Sequence, residues 1–200
     1  MALPPDDAIA LKVKAELRKR MRGLRKSMLA EACLARSASI ATRLLEHPAL
    51  AHAKTVALFY PITARHEVDL RPVHQALAAK GVRLAYPAIP KDDGVMIFRF
   101  AQDLTRLEEQ GYGFAEPGPD HEEAAALDAV IVPALAVSPS GHRLGYGAGY
   151  YDRALPKFCP PGQSIVVAFD FQLMVEVPAL PHDIRCDHIV TDTRTMARED

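Results

Sequence analysis

The sequence predicts an α/β protein with a mainly parallel sheet and helices on both faces, a Rossmann-like three-layer architecture. Short apolar runs alternate along the chain with amphipathic helical runs, and this alternation is typical of parallel sheets built from βαβ units. The chain has 200 residues, 49% of them hydrophobic, which is enough to bury one full core. A boundary near residues 117–126 would leave two very small halves, so we expect one domain over residues 1–200.

Three helices are predicted in the first half of the chain. Between residues 8 and 29, apolar side chains recur at steps of three and four, which indicates a helix docked by an apolar stripe, with its basic side chains mostly off that stripe. The stripe consists of Ile9, Val13, Leu17, Met21, Leu24 and Met28. A second helix is predicted from Leu34 to Leu45, before Pro48, and a third from Asp69 to Lys80, where Gly81 suits the C-terminal cap.

The strands are predicted from short apolar runs that lie between and after these helices. The first, Thr55–Tyr60, is a buried run stopped by Pro61. The others are predicted at Val82–Tyr86, Met96–Phe100, Ala129–Val132, Ser164–Phe169 and Asp187–Val190. Ligands of open α/β sheets collect at the carboxyl ends of strands. The loops 61–67 and 133–149, which each follow a strand, are therefore candidate binding loops.

Composition limits the classes of function. The net charge is only −1, yet Lys12 to Lys26 holds eight basic residues against the single acid Glu16. Such a run is most often a solvated helix face, although one or two of its residues could bind an anionic ligand. Nucleic-acid binding is the weakest alternative, because the total charge is close to neutral.

The compartment is also constrained by the sequence. No stretch approaches the roughly 20 apolar residues that cross a bilayer, and residues 1–7 lack the features of a secretory signal. The three cysteines show no C-x-x-C spacing, so neither a disulfide framework nor a zinc site is indicated. We expect a cytoplasmic protein with reduced thiols and no membrane partner.

The most informative segment is Gly141–Arg153, which holds four of the 11 glycines, two arginines and an aspartate in thirteen residues. It leads from a predicted strand into the helix-like run Tyr150–Leu155, and a strand-to-helix junction favours phosphate. Its spacing matches neither the P-loop nor the dinucleotide fingerprint. Arg143 can fork onto phosphate oxygens and Asp152 can hold magnesium. The alternative is a glycine-rich turn with a surface arginine and a capping aspartate.

The run Arg143-Leu-Gly-Tyr-Gly-Ala-Gly-Tyr-Tyr-Asp-Arg153 resembles the signature of the 5-formyltetrahydrofolate cyclo-ligase family. Four further segments resemble other motifs of that family in the same order along the chain. They are Lys14–Arg18, Phe59–Asp69, Tyr112–Pro117 and Pro181–Thr191. Ala136–Ser140 departs from the family, which often has an aromatic residue followed by Asp or Asn there, and this leaves the substrate fit open.

The resemblance implies an ATP-dependent ring closure, in which 5-formyltetrahydrofolate becomes 5,10-methenyltetrahydrofolate with release of ADP and phosphate. An N-formyl amide is a poor electrophile and its oxygen is a poor leaving group. Phosphorylation of that oxygen creates an iminium phosphate that the nitrogen at position 10 can attack. The enzyme then contributes mainly positioning and charge neutralisation, and no nucleophilic serine or cysteine is needed.

The resemblance also implies roles for individual residues. Lys14 and Arg18, four apart on one helix face, would contact ATP phosphates, with Arg18 close to the substrate as well. Glu67 would bind N–H donors of the reduced pterin. Asp152 and Asp183 would be magnesium ligands. The ATP-binding segment would comprise Arg143, Leu144, Gly145, Tyr146, Gly147, Ala148, Gly149, Tyr150 and Tyr151, of which residues 146–150 would also line the folate region.

Taken without the resemblance, these residues have simpler interpretations. Lys14 and Arg18 belong to a solvated basic face, Glu67 is a surface glutamate at a helix start, and Asp183 is a turn residue. Two other functions stay open: an ATP-dependent enzyme that acts on another N-formyl or amide substrate, and a non-catalytic folate- or nucleotide-binding protein. The expected partners are small-molecule substrates, with ATP and Mg²⁺, and the expected state is a monomer.

Overall fold

The computed structural model describes residues 4–91, 94–109, 111 and 113–199. The α-helices are α1 Pro5–Ser27, α2 Ala30–Leu45, α3 Pro48–Ala51, α4 Arg71–Ala79 and α5 Tyr150–Phe158. The strands are β1 Thr55–Ala57, β2 Arg83–Ala88, β3 Ile97–Phe100, β4 Glu108–Glu109, β5 Ala115–Glu116, β6 Ala129–Pro133, β7 Ala136–Val137, β8 Arg143–Leu144, β9 Gln163–Val167, β10 His188–Val190 and β11 Thr195–Ala197. Within these ranges, no helix combines the length and hydropathy needed to cross a lipid bilayer.

Seven strands form the central sheet, in the order β11-β10-β9-β6-β1-β2-β3. The five inner strands run parallel, and an antiparallel strand closes each edge. In the centre, Val56 of β1 lies opposite both Leu84 of β2 and Ala129 of β6. The predicted mainly parallel sheet is confirmed, and the carboxyl ends of β1 and β6 therefore lie side by side at one edge.

Successive side chains of the inner strands point to opposite faces of the sheet, and each face packs against helices. Val56 and Leu58 pack with α2 and α4, while Ala57 packs with α5 on the other face. The same alternation continues in β6, where Ile131 joins the first cluster and Val132 the second. This alternation produces the three layers that the sequence predicts.

The predicted helices are confirmed with shifted ends. The helix predicted from Leu34 begins at Ala30, and the one predicted from Asp69 to Lys80 spans Arg71–Ala79. Gly81 has φ +78° just after that helix, as a cap residue in the left-handed region requires. The helical run from Tyr150 continues to Phe158.

The docking face predicted for α1 is half right. Ile9, Val13 and Leu24, three members of the apolar stripe, are exposed at 61%, 41% and 43%, whereas the other three pack against buried clusters. Among the α1 side chains that the structure describes, the buried ones are Lys14, Met21 and Arg25. Lys14 and Arg25 pair with carboxylates from distant parts of the chain, as described below. Burial of this helix thus depends on charge pairing as well as on half of its apolar stripe.

The strands lie where they were predicted, but their first and last residues differ from the prediction. The run Thr55–Tyr60 pairs in the sheet only as Thr55–Ala57, and the residues after it turn towards a cavity. The sequence analysis missed β11, which adds an antiparallel edge, and the two-residue pairs β4–β5 and β7–β8. Tyr112, the first residue of one family-like motif, lies outside the described residues.

Candidate functional site

A cavity of about 380 Å³ opens at the carboxyl ends of β1 and β6, a size typical of small-molecule sites. Its walls come from α1, from the segment after β1, from the segment between β6 and α5, and from residues 180–183. All fourteen residues predicted as site residues line it. They are Lys14, Arg18, Glu67, Arg143, Leu144, Gly145, Tyr146, Gly147, Ala148, Gly149, Tyr150, Tyr151, Asp152 and Asp183.

Arg143 is a buried arginine that connects three parts of this wall. It lies on β8, and its Nη2 donates to Asp152 Oδ1 of α5 at 2.8 Å. Its Nη1 donates to the backbone oxygen of Ile184 and contacts Cys186 Sγ at 3.7 Å. The backbone N–H of Ile184 donates to the same Asp152 oxygen at 3.1 Å. The guanidinium thus fixes the start of α5 against the segment that follows Asp183.

Lys14 and Asp183 form a second buried ion pair in the same region. The Lys14 ammonium donates to Asp183 Oδ2, and the side chains are 4% and 13% exposed. The same oxygen accepts the backbone N–H of Leu180 at 2.6 Å. Burial by itself would raise the pKa of Asp183, but these two hydrogen bonds and the Lys14 charge hold it below its ordinary value. A charged Asp183 therefore anchors α1 to the cavity.

Arg18 faces the glycine-rich loop one turn further along α1. Its Nε donates to the backbone oxygen of Gly145 at 2.9 Å. A Cβ added at Gly147, where φ is +109°, would lie 3.4 Å from the Arg18 guanidinium carbon. Burial lowers the pKa of Arg18, and Asp183 opposes that shift. The backbone conformation therefore favours glycine at this position, whereas the Arg18 side chain lies at an ordinary contact distance from where a Cβ would be.

The glycine-rich loop ends in the N-terminus of α5. Gly149 has φ +67° and precedes Tyr150, the first residue of the helix. No side chain in the described part of the chain caps this helix, so its first-turn N–H groups lack a side-chain acceptor there. Together with Lys14, Arg18 and Arg143, they make this half of the cavity suited to a phosphate-bearing ligand.

The opposite half of the cavity is organised around Glu67, a buried carboxylate. Its Oε2 accepts the backbone N–H of Ile62 at 2.9 Å, and its Oε1 accepts the Tyr146 hydroxyl at 2.8 Å. Burial, and then the Glu67 charge, raise the pKa of Tyr146 to about 12. The simple interpretation of Glu67 as a surface glutamate is wrong, since this side chain is buried and fixed at both oxygens.

Apolar side chains also line the cavity. Phe59, Pro87, Met96 and Phe114 lie in its wall, where the ring faces of a flat aromatic ligand could pack against them. Tyr151 also borders the cavity, and its hydroxyl is buried with no hydrogen-bond partner among the described residues. Buried hydroxyls normally have a partner, which makes this group unusual among the described residues.

The two acidic residues would suit a magnesium ion that a bound ligand also coordinates. They do not form a complete metal site by themselves. No group of three or more His, Cys, Asp or Glu side chains with metal-binding geometry occurs in the described part of the chain. Asp152 and Asp183 lie at the same corner, since Ile184 N–H, next to Asp183, bonds to Asp152. Mg²⁺ typically takes one or two carboxylates and completes its shell with phosphate oxygens and water, so two acids suffice.

Sequence reasoning missed several residues of the site. Arg65 and Ile62 lie in the predicted binding loop 61–67, and Phe114 lies in the family-like segment Tyr112–Pro117, but none of the three was named individually. Arg25 belongs to the same basic run as Lys14, but nothing in that run distinguishes a buried arginine from a solvated one. The sequence showed only that Arg25 is charged. Its burial depends on contacts with distant segments.

Gly141, at the start of the loop, is expected to tolerate no side chain. It has φ +81°, and an added Cβ would lie 2.3 Å from the backbone oxygen of Cys186. We predict that Gly141→Ala lowers the free energy of unfolding by at least about 2 kcal/mol, from backbone strain plus this clash, in urea denaturation. Gly81→Ala is the matched control, because Gly81 has φ +78° and open space around it. Equal losses in both variants would show that the clash contributes nothing.

The fold and the cavity define an α/β protein with a pocket of small-molecule size at the carboxyl edge of a parallel sheet. Three cations and a buried carboxylate lie on the walls of this pocket. A family model described as the 5-formyltetrahydrofolate cyclo-ligase family matches residues 10–192. The chain belongs to this family of ligases.

Individual relatives agree with this membership. A 5-formyltetrahydrofolate cyclo-ligase of Mycolicibacterium smegmatis is 44% identical over 86 residues, which is 42% of this chain and 44% of that protein. One from Escherichia coli K12 is 30% identical over 159 residues, or 77% of this chain and 86% of that protein. The NMR structure of Aquifex aeolicus 5,10-methenyltetrahydrofolate synthetase superposes with a TM-score of 0.81 at 29% identity, covering 94% of each chain.

Proposed function

We propose that this protein catalyses the ATP-dependent cyclisation of 5-formyltetrahydrofolate to 5,10-methenyltetrahydrofolate, with release of ADP and phosphate. The observation that carries the proposal is the convergence of three cations, Lys14, Arg18 and Arg143, with the carboxylate Glu67 on the walls of one cavity. The cations suit the phosphates of ATP and the carboxylate suits the N–H donors of a pterin. We further propose that one domain, acting as a monomer in the cytoplasm, carries the whole site.

The phosphate half of the cavity has the groups that a phosphoryl transfer needs. In the proposed complex, Lys14 and Arg143 neutralise phosphate oxygens while the glycine-rich loop and the first turn of α5 donate backbone N–H groups. Catalysis of this kind depends on alignment and charge stabilisation. Asp152 and Asp183 would hold Mg²⁺, which supplies charge neutralisation at the phosphates.

The folate half orients the reacting formyl group. Glu67 would accept N–H donors of the pterin while Phe59, Met96 and Phe114 pack on its ring faces. The formyl oxygen then attacks the γ-phosphorus, and the bond to ADP breaks. The nitrogen at position 10 attacks the formyl carbon, loses its proton, and the carbon–oxygen bond breaks to release phosphate. This chain needs to supply no nucleophile, only fixed positions for both substrates.

The direct test is the near-ultraviolet absorbance of the methenyl product when purified protein is mixed with 5-formyltetrahydrofolate. We expect absorbance to grow only when ATP and Mg²⁺ are both present, and to stop on addition of EDTA. A folded protein that gives no growth under these conditions would overturn the proposal. Growth without ATP would overturn the phosphorylation step.

Glu67→Gln tests the identity of the substrate. The variant keeps the shape of the side chain but removes the charge that pairs with pterin N–H donors, so we predict a KM for 5-formyltetrahydrofolate raised about tenfold or more. The KM for ATP should change by less than about twofold, since Glu67 lies in the other half of the cavity. Exposed Glu176→Gln is the matched control. An unchanged folate KM would favour a different N-formyl substrate.

A further inference from the structure

Arg25 is a buried cation that lies next to the cavity without lining it. It is 4% exposed and stands on α1, eleven residues after Lys14 and therefore about three turns along the same face. Its side chain is absent from the cavity wall, so a ligand in the cavity meets Tyr146 and Glu67, not Arg25. A buried guanidinium is costly unless all its donors are used, which makes its contacts informative.

The contacts of Arg25 join three separate segments. Its Nε and Nη2 donate to the backbone oxygen of Arg65 at 3.0 and 2.8 Å. Nη2 also donates to the Tyr146 hydroxyl at 2.6 Å and lies 3.7 Å from Glu67 Oε1. The backbone oxygen of Arg25 itself lies 2.9 Å from His66 Nδ1. One residue thus fixes α1, the loop before Glu67 and the glycine-rich loop together.

These contacts form a directed chain of hydrogen bonds from Arg25 through the Tyr146 hydroxyl to the Glu67 carboxylate. A hydroxyl that accepts from a cation becomes a stronger donor, so the Tyr146 O–H bond to Glu67 is strengthened by Arg25. The other oxygen of Glu67 is fixed by the backbone N–H of Ile62. Each carboxylate oxygen keeps a further acceptor position, which a ligand in the cavity can use.

We propose that Arg25 is a positioning residue for the folate half of the site and acts through the Tyr146 hydroxyl on the Glu67 carboxylate. The proposal rests on the function proposed above, because it assigns Glu67 to the pterin. Its consequence is that Arg25 controls the affinity for the folate without touching it. Lysine cannot substitute, since one ammonium on a flexible stem cannot reach the Arg65 backbone oxygen and the Tyr146 hydroxyl in the fixed planar geometry of a guanidinium.

Kinetics of a double-mutant cycle test the proposal. Arg25→Lys should raise the KM for 5-formyltetrahydrofolate about tenfold or more, with kcat and the KM for ATP within about twofold. Tyr146→Phe, which removes only the hydroxyl, should give an increase of similar size. When Arg25→Lys is added to the Tyr146→Phe variant, its effect on the folate KM should be clearly smaller than in the wild-type protein, because the hydroxyl bridge is already broken and only the 3.7 Å approach to Glu67 and the contact with the Arg65 backbone remain. Arg20→Lys, an exposed arginine on α1, is the matched control.

The possible outcomes separate this inference from the proposed function. If the wild-type protein makes methenyl product but Arg25→Lys leaves the folate KM unchanged, the inference is wrong and the function stands. The inference is also wrong if Arg25→Lys raises the folate KM equally in the wild-type protein and in the Tyr146→Phe variant. It is wrong, too, if Arg25→Lys raises the ATP KM as much as the folate KM. The proposed function stands in both cases. If the wild-type protein makes no product, the proposed function fails and the inference fails with it. Should Arg25→Lys not fold, Tyr146→Phe alone must raise the folate KM by more than it raises the ATP KM.

Discussion

Arg143→Ala is expected to reduce turnover by at least about 10³-fold, the effect typical of removing an arginine that stabilises a transferring phosphoryl group. The variant should also be less stable by about 2 kcal/mol, because Asp152 loses its partner and the Ile184 backbone oxygen loses a donor. This loss is smaller than that for a fully buried pair because Asp152 is 22% exposed.

Arg143→Lys separates the charge of Arg143 from its shape, and Arg83→Ala serves as a control. Arg143→Lys keeps the charge but loses the fork that spans Asp152 and the Ile184 oxygen, so we expect part of the activity to return. Arg83→Ala removes an exposed arginine that pairs with Glu122, and it should affect neither activity nor stability by much. Steady-state kinetics and thermal denaturation measure both quantities. Near-wild-type turnover by Arg143→Ala would remove this residue from the phosphate site.

Lys14→Met should lower the free energy of unfolding by about 3 kcal/mol at neutral pH, because the charged and largely buried Asp183 loses the one cation to which it is hydrogen-bonded among the described residues. Turnover should fall as well, since the variant loses a cation of the phosphate half. Combining it with Asp183→Asn removes both charges, so we expect most of the stability to return while activity stays low. Urea denaturation and the product assay distinguish the two effects. A double variant as unstable as Lys14→Met would contradict a pairing role.

The stability difference between wild type and Lys14→Met should also depend on pH. The pKa of Asp183 in the folded wild-type protein is below its ordinary value of 3.8, so the pair contributes fully above that value. The contribution is lost as pH falls below 3.8 and through the lower folded-state pKa. In Lys14→Met, protonation of Asp183 at low pH removes its uncompensated charge, so the stability of the variant rises relative to that of the wild type. The difference should therefore be widest near neutral pH and narrow on acidification.

Much of the fold could be predicted because its determinants are local in the sequence. The strands at Ala129 and Ser164 are short apolar runs, and each lies where it was predicted. The strand β11 was missed because Thr195–Ala197 is partly exposed and carries no alternating pattern. Its pairing with β10 depends on the neighbouring edge and not on its own residues.

The site could be predicted as a set of residues but not as a set of contacts. The fourteen predicted site residues all line one cavity, although their roles in binding stay predictions. The pairing of Lys14 with Asp183 spans 169 residues, and no local pattern encodes it. The same limit explains why half of the apolar stripe of α1 is exposed. The helical periodicity was correct, but acids far along the chain also determine which side chains are buried.

The way α1 is attached has a consequence for local stability. Among the α1 side chains that the structure describes, Met21 is the one hydrophobic residue that is fully buried. Partly buried Leu17 packs beside it, and directional contacts from Lys14, Arg18 and Arg25 complete the attachment. A segment with little apolar burial opens at a lower free energy than the core of the sheet unfolds. We therefore expect this wall of the cavity to be locally less stable than the sheet behind it, and faster hydrogen exchange at the α1 amides than at those of the inner strands would show this.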